Sequence, residues 1–186
     1  IMKEARNDCA SSCAEIALFV DEDAYNDPDL PAATRTNAKL LRRELGLLGA
    51  PCDYYLSSDF DTVRNRYRAY VSLVPKPTPY SNMIEKYATE HNVPLLTVTP
   101  QTETITAGML RDFCQRAGIL LKSDRPAVIY ENENYLFVHA AENGTLHLPA
   151  DNYTEMFTGQ HCDGCLTVKL GESYLFRKSA NTQKTP

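Results

Sequence analysis

The chain lacks several features that would each point to a common class of protein. Its 186 residues include no tryptophan and no long run of basic residues, and its net charge is −5. A nucleic-acid partner is therefore not expected, because phosphate backbones are bound by clustered positive charge. No apolar stretch approaches the roughly 20 residues that cross a bilayer, so we expect no membrane insertion. Without tryptophan the strongest stacking side chain is missing, although 11 tyrosines are present.

Targeting and disulfide signals are also missing. Residues 1–12 contain neither the basic nor the apolar segment of a secretory signal. A start at Ile1, with polar sequence before the first strand, suggests a boundary inside a longer chain. The 6 cysteines are unevenly spaced, unlike a secreted disulfide framework, so we expect mostly reduced thiols. The compartment stays undecided, with the cytoplasm slightly favoured.

In residues 1–124, strand-like and helix-like segments alternate. Ile16–Val20 is a continuous apolar run, which is typical of a strand buried on both faces of a parallel sheet. Residues 34–48 carry leucines at helical spacing and are followed by Gly49. Further strands are predicted at 52–56, 67–74 and 93–99, and further helices at 80–90 and 107–117. The alternation predicts a doubly wound α/β domain with right-handed crossovers.

Residues 125–178 have a different texture, with short strand-like segments separated by turn signals. The strand candidates are 127–130, 135–139, 145–148, 166–170 and 174–177. They predict a small antiparallel β-domain packed on the α/β part. Residues 179–186 are polar, and we expect a disordered tail there.

Acidic residues follow the first predicted strand and suggest one ligand site. Asp21, Glu22 and Asp23 come directly after that strand, and Pro100 and Gln101 follow the fourth. Ligands of open α/β sheets bind at the carboxyl ends of the strands, so these five residues could line a crevice for a small molecule or sugar. The competing interpretation, in which the acids cap the next helix and solvate a loop, is the more common outcome.

The sharpest local motif is a C-x-x-C pattern, His161-Cys162-Asp163-Gly164-Cys165. Two thiolates and His161 could bind zinc, but a structural site needs four ligands and the other cysteine pair is far away in sequence. A redox dithiol or a disulfide is a second possibility. A third, which we favour, is a turn in which Asp163 and Gly164 reverse the chain between strands. We expect no cofactor and no resident metal.

Several stretches together resemble the region C-terminal to the catalytic barrel in β-galactosidase-like glycoside hydrolases. Glu15-Ile-Ala-Leu-Phe-Val-Asp-Glu-Asp23 is similar to the first strand of their amidotransferase-like trimerisation domain. The other stretches of that domain are 49–56 with Asp59, 67–74 and 94–99. Stretches that resemble the terminal β-domain of such enzymes are 135–140 with Gly144, 148–149, 156–159 and 168–176. The resemblance implies a flavodoxin-like, class I glutamine amidotransferase-like parallel sheet with helices on both faces.

The resemblance also implies a function without chemistry of its own. A barrel with two catalytic glutamates does not fit in 186 residues. The G-x-C-x-G elbow of class I amidotransferases is absent, since the strand ending at Thr99 runs into a segment without cysteine. We therefore expect a non-catalytic accessory region that self-associates or frames an active site, with the rest of the parent enzyme and a carbohydrate as further partners. The alternatives are a small-molecule or sugar-binding α/β domain and a divergent cysteine-dependent hydrolase or amidotransferase acting through Cys52 or Cys114.

Overall fold

The first half of the chain forms a parallel sheet of four strands. The computed structural model describes residues 10–21, 26–148, 153–162 and 164–178. Its strands β1 (Ile16–Val20), β2 (Cys52–Leu56), β3 (Ala69–Leu73) and β4 (Leu95–Val98) pair in the order β2-β1-β3-β4. β1 is central and almost completely buried, as its continuous apolar sequence predicts. β2 lies at one edge and exposes alternate side chains.

Helices cover both faces of this sheet, as predicted. They are α1 (Ala32–Gly46), α2 (Phe60–Val63), α3 (Pro79–Glu90) and α4 (Ala107–Arg116), and 3₁₀ turns at Ser57–Asp59 and Arg64–Arg66 flank α2. α1 and α4 pack on one face over an aliphatic core that includes Leu41 and Leu110. α2 and α3 cover the other face, where Phe19, Phe60 and Tyr70 meet edge to face. The α/β interpretation is thus confirmed.

The second half of the chain is antiparallel, also as predicted. Its strands are β5 (Ala127–Glu131), β6 (Tyr135–Ala140), β7 (Gly144–His147), β8 (Tyr153–Glu155), β9 (His161–Cys162), β10 (Cys165–Val168) and β11 (Ser173–Lys178). Five of them form a sheet in the order β5-β6-β11-β8-β9, and β7 pairs with β10 in a separate ribbon. A third core fills this part, with Tyr153 and Phe176 at its centre.

Backbone hydrogen bonds tie the two halves at several places, and two of these involve β5. Gly49 N–H donates to Ala127 O at 3.2 Å, and Ala127 N–H donates to Leu47 O at 3.2 Å, so β5 begins as an extension of the segment before β2. The segment before β1 pairs with the end of β5, since Cys13 N–H donates to Glu131 O at 3.1 Å. The boundary at residues 124–125 stays a prediction, and the predicted tail, 179–186, lies outside the described residues.

Candidate functional site

Asp21, the first predicted ligand residue, is buried at the carboxyl end of β1. Its Oδ2 accepts a hydrogen bond of 2.6 Å from Thr78 Oγ1. Thr78 is the N-cap of α3, and its Oγ1 accepts from the Ser81 N–H at 3.1 Å. Asp21 therefore supports the start of a helix in the structure. Its two acidic neighbours, Glu22 and Asp23, lie outside the described residues.

Pro100 and Gln101, the other half of that predicted site, lie in a turn after β4. The Gln101 N–H donates to Thr99 Oγ1 at 3.3 Å, and the Thr99 N–H donates to Thr102 Oγ1 at 2.8 Å. In the sheet, β3 separates β4 from β1, so Asp21 and Gln101 follow strands that are not neighbours. A ligand-binding role for this group of residues stays a prediction.

The C-x-x-C segment does not form the expected hairpin. His161 and Cys162 form β9 and pair with β8, whereas Cys165 begins β10 and pairs with β7, so the chain passes from one sheet to the other at Gly164. Local sequence could not show this, because each strand finds its partner elsewhere in the chain. His161 Nδ1 lies 3.1 Å from Thr154 Oγ1. Among the described residues, which omit Asp163, no group of three or more His, Cys, Asp or Glu side chains could hold a metal ion.

One exposed thiol–imidazole pair was missed by the sequence analysis. Cys165 Sγ lies 3.5 Å from His147 Nδ1, because the two residues are register partners on β10 and β7. Knowledge that β7 pairs with β10 would have been needed to predict this contact. With two residues, the pair alone does not make a metal centre.

Of the two cysteines of the hydrolase alternative, Cys114 lies in the aliphatic core and Cys52 packs against it. Cys114 is buried, and this burial raises the pKa of its thiol to about 11. Burial, with Asp53 and Cys114 nearby, raises the pKa of the Cys52 thiol to about 12. A nucleophilic cysteine needs a thiolate at neutral pH, and both thiols are held in the protonated form.

A cavity of about 410 Å³ lies between the edge strand β2 and the antiparallel sheet. Its lining comes from three parts of the chain that are distant in sequence. The segment before β1 contributes Ser12, β2 and its approach contribute Pro51 to Asp53, and strands β5, β6 and β11 contribute the opposite wall. The aromatic members of that wall are Tyr130, Tyr135 and Phe137.

Asp53 lies in this cavity and is held by two hydroxyl groups. Tyr67 Oη donates to its Oδ2 at 2.6 Å and Ser12 Oγ donates to its Oδ1 at 2.9 Å. Burial and the hydrogen bond to Asp53 raise the pKa of Tyr67 well above its usual range. The Tyr55 hydroxyl lies a further 2.6 Å from that of Tyr67. Asp53 is thus a positioned acceptor that faces hydroxyl groups.

A buried ion cluster adjoins the same cavity. The Glu131 side chain is only 6% exposed, with Lys178 Nζ at 2.6 Å from one carboxylate oxygen and Lys122 Nζ at 3.0 Å from the other. Lys178 Nζ also donates to Asn132 O at 2.8 Å and lies 3.8 Å from Cys13 Sγ. The charge of the Glu131 carboxylate is compensated by the two lysines, so we interpret this residue as part of the structure of the junction.

The comparisons with known proteins identify the class of fold. No protein-family model and no curated protein sequence matches the chain. Solved structures do match, and they are glycoside hydrolases. The chain superposes on 42% of a β-galactosidase from Bacillus circulans sp. alkalophilus with a TM-score of 0.66, over 92% of its own length and at 11% identity.

Two further solved structures show the same partial match. A β-galactosidase from the psychrophilic Marinomonas ef1 matches over 92% of this chain and 38% of its own, with a TM-score of 0.56 and 14% identity. A GH42 exo-carrageenase from Bacteroides ovatus matches over 90% of this chain and 29% of its own, with a TM-score of 0.53 and 11% identity. The chain thus spans less than half the length of these enzymes. The resemblance drawn from the sequence is confirmed at the level of the fold: the chain is folded like a part of β-galactosidase-like glycoside hydrolases.

Among the described residues, no helix combines the length and the apolar character that a membrane span requires.

Proposed function

We propose that the chain is a non-catalytic accessory region of a β-galactosidase-like glycoside hydrolase, which serves oligomerisation or frames the active site. The observation that carries the proposal is the match of both halves of the chain, 92% of its length, to 42% of one such enzyme. A match that takes in the α/β unit and the antiparallel unit together favours a shared role for the two in a larger enzyme.

Two carboxyl groups of the described residues have the reverse of the pKa shift that a glycosidase acid needs. A glycosidase needs a general acid whose pKa is raised and a second carboxylate nearby. The carboxyl pKa shifts resolved in the described part of the chain go the other way, at Asp27 and Glu155. The pKa of Asp27 is lowered by Lys76 at 2.6 Å, and the pKa of Glu155 is lowered by hydrogen bonds that outweigh its burial.

The finer fold assignment is part of the proposal. The order β2-β1-β3-β4, parallel and covered on both faces, corresponds to the first four strands of the flavodoxin-like order 2-1-3-4-5. Class I glutamine amidotransferases share this doubly wound plan, and we assign the α/β unit to it. After α4 the chain continues into β5 of the antiparallel part.

The edge strand β2 favours self-association through the α/β unit. Tyr54 and Leu56 point to the same side of this strand and are 46% and 42% exposed. Large apolar side chains on an unpaired edge are a usual site of contact between chains. Closed symmetry is the default for such contacts, so we expect a small closed oligomer.

Light scattering over a concentration series tests the proposal. We expect a closed oligomer for the unmodified chain and a lower mass for Leu56→Lys, because a charge on the edge must be desolvated on contact. Leu170→Lys is the matched control, since Leu170 is an equally apolar residue in a turn at 66% exposure. A monomer at every concentration would contradict the assembly role, and equal masses for the two variants would place the contact elsewhere.

A further inference from the structure

We propose that the cavity between β2 and the antiparallel sheet binds a neutral carbohydrate of one or two pyranose rings. This inference goes beyond the accessory role and does not depend on it, because it is drawn from the walls of the cavity. It also differs from the crevice predicted at the carboxyl ends of the strands, with which the cavity shares no lining residue.

One wall of the cavity is a row of apolar side chains. Tyr130, Phe137 and Leu175 are register partners on β5, β6 and β11, so their side chains form an apolar row across one face of the sheet. The rings of Tyr130 and Phe137 are stacked, with centroids 6.3 Å apart and planes at 30°. Tyr130 is 63% exposed, which leaves its ring open to a ligand. An exposed aromatic ring suits the apolar C–H face of a sugar ring.

The opposite side of the cavity offers a fixed acceptor. Each oxygen of Asp53 already accepts one hydrogen bond, from Ser12 or Tyr67, and a carboxylate has about four acceptor sites. The Tyr67 proton is committed to Asp53, which fixes the orientation of the carboxylate. Asp53 can therefore accept hydrogen bonds from the hydroxyl groups of a ligand that stacks on the apolar row. Neighbouring hydroxyl groups on one ring are the groups that this geometry recognises.

The charges around the cavity favour a neutral ligand. Glu131 is paired with both Lys122 and Lys178, so this cluster carries a net charge of about +1, which offsets the negative charge of Asp53. Asp53 faces hydroxyl groups and repels an anion, which disfavours uronic acids, sulfated sugars and sugar phosphates. The net positive charge of the Glu131 cluster beside the cavity disfavours a cationic ligand.

Size and place are consistent with a small saccharide. A volume of about 410 Å³ falls at the lower end of the range for ligand pockets, roughly 300–1,000 Å³. Such pockets are common at the junction of two structural units, and this cavity is lined by both halves of the chain.

The test is a binding titration of the full chain with galactose, glucose, lactose and cellobiose, followed by ligand-observed NMR. Glucuronate and choline are included as anionic and cationic probes. We expect at least one neutral sugar to bind, and we expect Tyr130→Ala and Asp53→Asn each to weaken it by about tenfold. Tyr80→Ala is the matched control, because Tyr80 is an exposed tyrosine of α3, away from the cavity lining, and its removal should leave binding unchanged.

Three results would overturn the inference. The first is that no neutral sugar binds. The second is that both cavity variants bind the sugar as well as the unmodified chain does. The third is that choline or glucuronate binds more tightly than the neutral probes. Circular dichroism and thermal unfolding of the variants separate lost binding from lost folding. The oligomeric state does not enter this test, so the inference and the proposed accessory role can fail separately.

Discussion

At the scale of single residues, Glu155 is a buried carboxylate that holds the backbone of a turn in place. It lies at the end of β8, where its Oε2 accepts hydrogen bonds from the N–H groups of Phe157 and Thr158, at 3.0 and 2.7 Å, and from Thr158 Oγ1 at 2.8 Å. The side chain thereby fixes the turn that follows the strand. Glu155 itself is 6% exposed, so its negative charge depends on these donors.

This arrangement predicts a pH dependence of stability. Burial raises the pKa of Glu155, but the bonds from Thr158 and Phe157 outweigh it and hold the pKa below its usual range. A carboxyl group whose pKa is lowered by folding contributes stability above its unfolded pKa, and that contribution is lost as the pH falls through the folded pKa. Urea unfolding should therefore show a loss of stability below about pH 4.3, the ordinary glutamate value.

The variant Glu155→Gln isolates this contribution. Glutamine keeps the size of the side chain but cannot ionise, so the variant should be less stable at neutral pH and should lose less stability on acidification. Glu142→Gln, at an exposed position in the turn after β6, is the control and should follow the unmodified chain. If all three proteins show the same acid slope, Glu155 is not the group responsible.

At the scale of elements, the junction between the two halves depends on the backbone conformation of Gly49. This residue has φ +83° and pairs with Ala127 through its N–H and with Lys122 through its carbonyl group, which accepts at 2.7 Å. A Cβ at this position would lie 3.1 Å from Ser123 O and 3.2 Å from Ser123 Cβ. Any side chain here meets both the left-handed backbone and the neighbouring segment.

Gly49→Ala should destabilise the protein by about 2 kcal/mol, as strain and close contact add. Gly171→Ala is a matched control, because Gly171 has φ +82° but a Cβ added there would meet no atom within 4 Å. Gly171→Ala should therefore lower the free energy of unfolding only by the backbone strain, which is about 1 kcal/mol. Urea unfolding of both variants measures the difference, and equal losses would show that the contact with Ser123 carries no energy.

The elements also show how far sequence patterns reach. β1 was predictable because its buried residues form one continuous apolar run, and α3 because Met83, Ile84 and Tyr87 lie at helical spacing on one face. The helix Phe60–Val63 was missed, since four residues are too few for a periodicity, and so were β8 and β9. The ribbon of β7 and β10 was missed for another reason, because the pairing partner of a strand is set by tertiary packing and not by its own sequence.

The candidate site was less predictable than the fold for the same physical reason. Asp53 and the tyrosines are visible in the sequence, but the cavity exists because the segment of Ser12 pairs with the end of β5 and brings distant walls together. The crevice at the carboxyl ends of the strands was predicted only from the positions of residues that directly follow a strand in the sequence. The rule for parallel sheets placed Asp21 correctly at the end of β1, where the residue caps a helix through Thr78.

At the scale of the whole molecule, the ion cluster of Glu131 joins parts of the chain that lie far apart in sequence. Glu131 ends β5, Lys178 ends β11 and Lys122 belongs to the connection between α4 and β5. Cys13, which precedes β1, contacts the same Lys178 ammonium group. The cluster therefore couples the antiparallel unit to the start of the parallel sheet, and we expect the two units to unfold together.

Removal of the central charge tests this coupling. Glu131→Gln leaves two lysines partly buried without their anion, so we expect a loss of about 3 kcal/mol, at the lower end for buried pairs because the lysines are 13% and 16% exposed. Hydrogen exchange followed by mass spectrometry should show protection falling together in peptides from β1 and from β6. Glu133→Gln, two residues away at an exposed position, is the control and should change neither. If protection falls in β6 alone, the antiparallel unit unfolds by itself and residues 125–178 form an independent domain. The position of that domain on the α/β unit would then be set by the Gly49 junction and not by the Glu131 cluster.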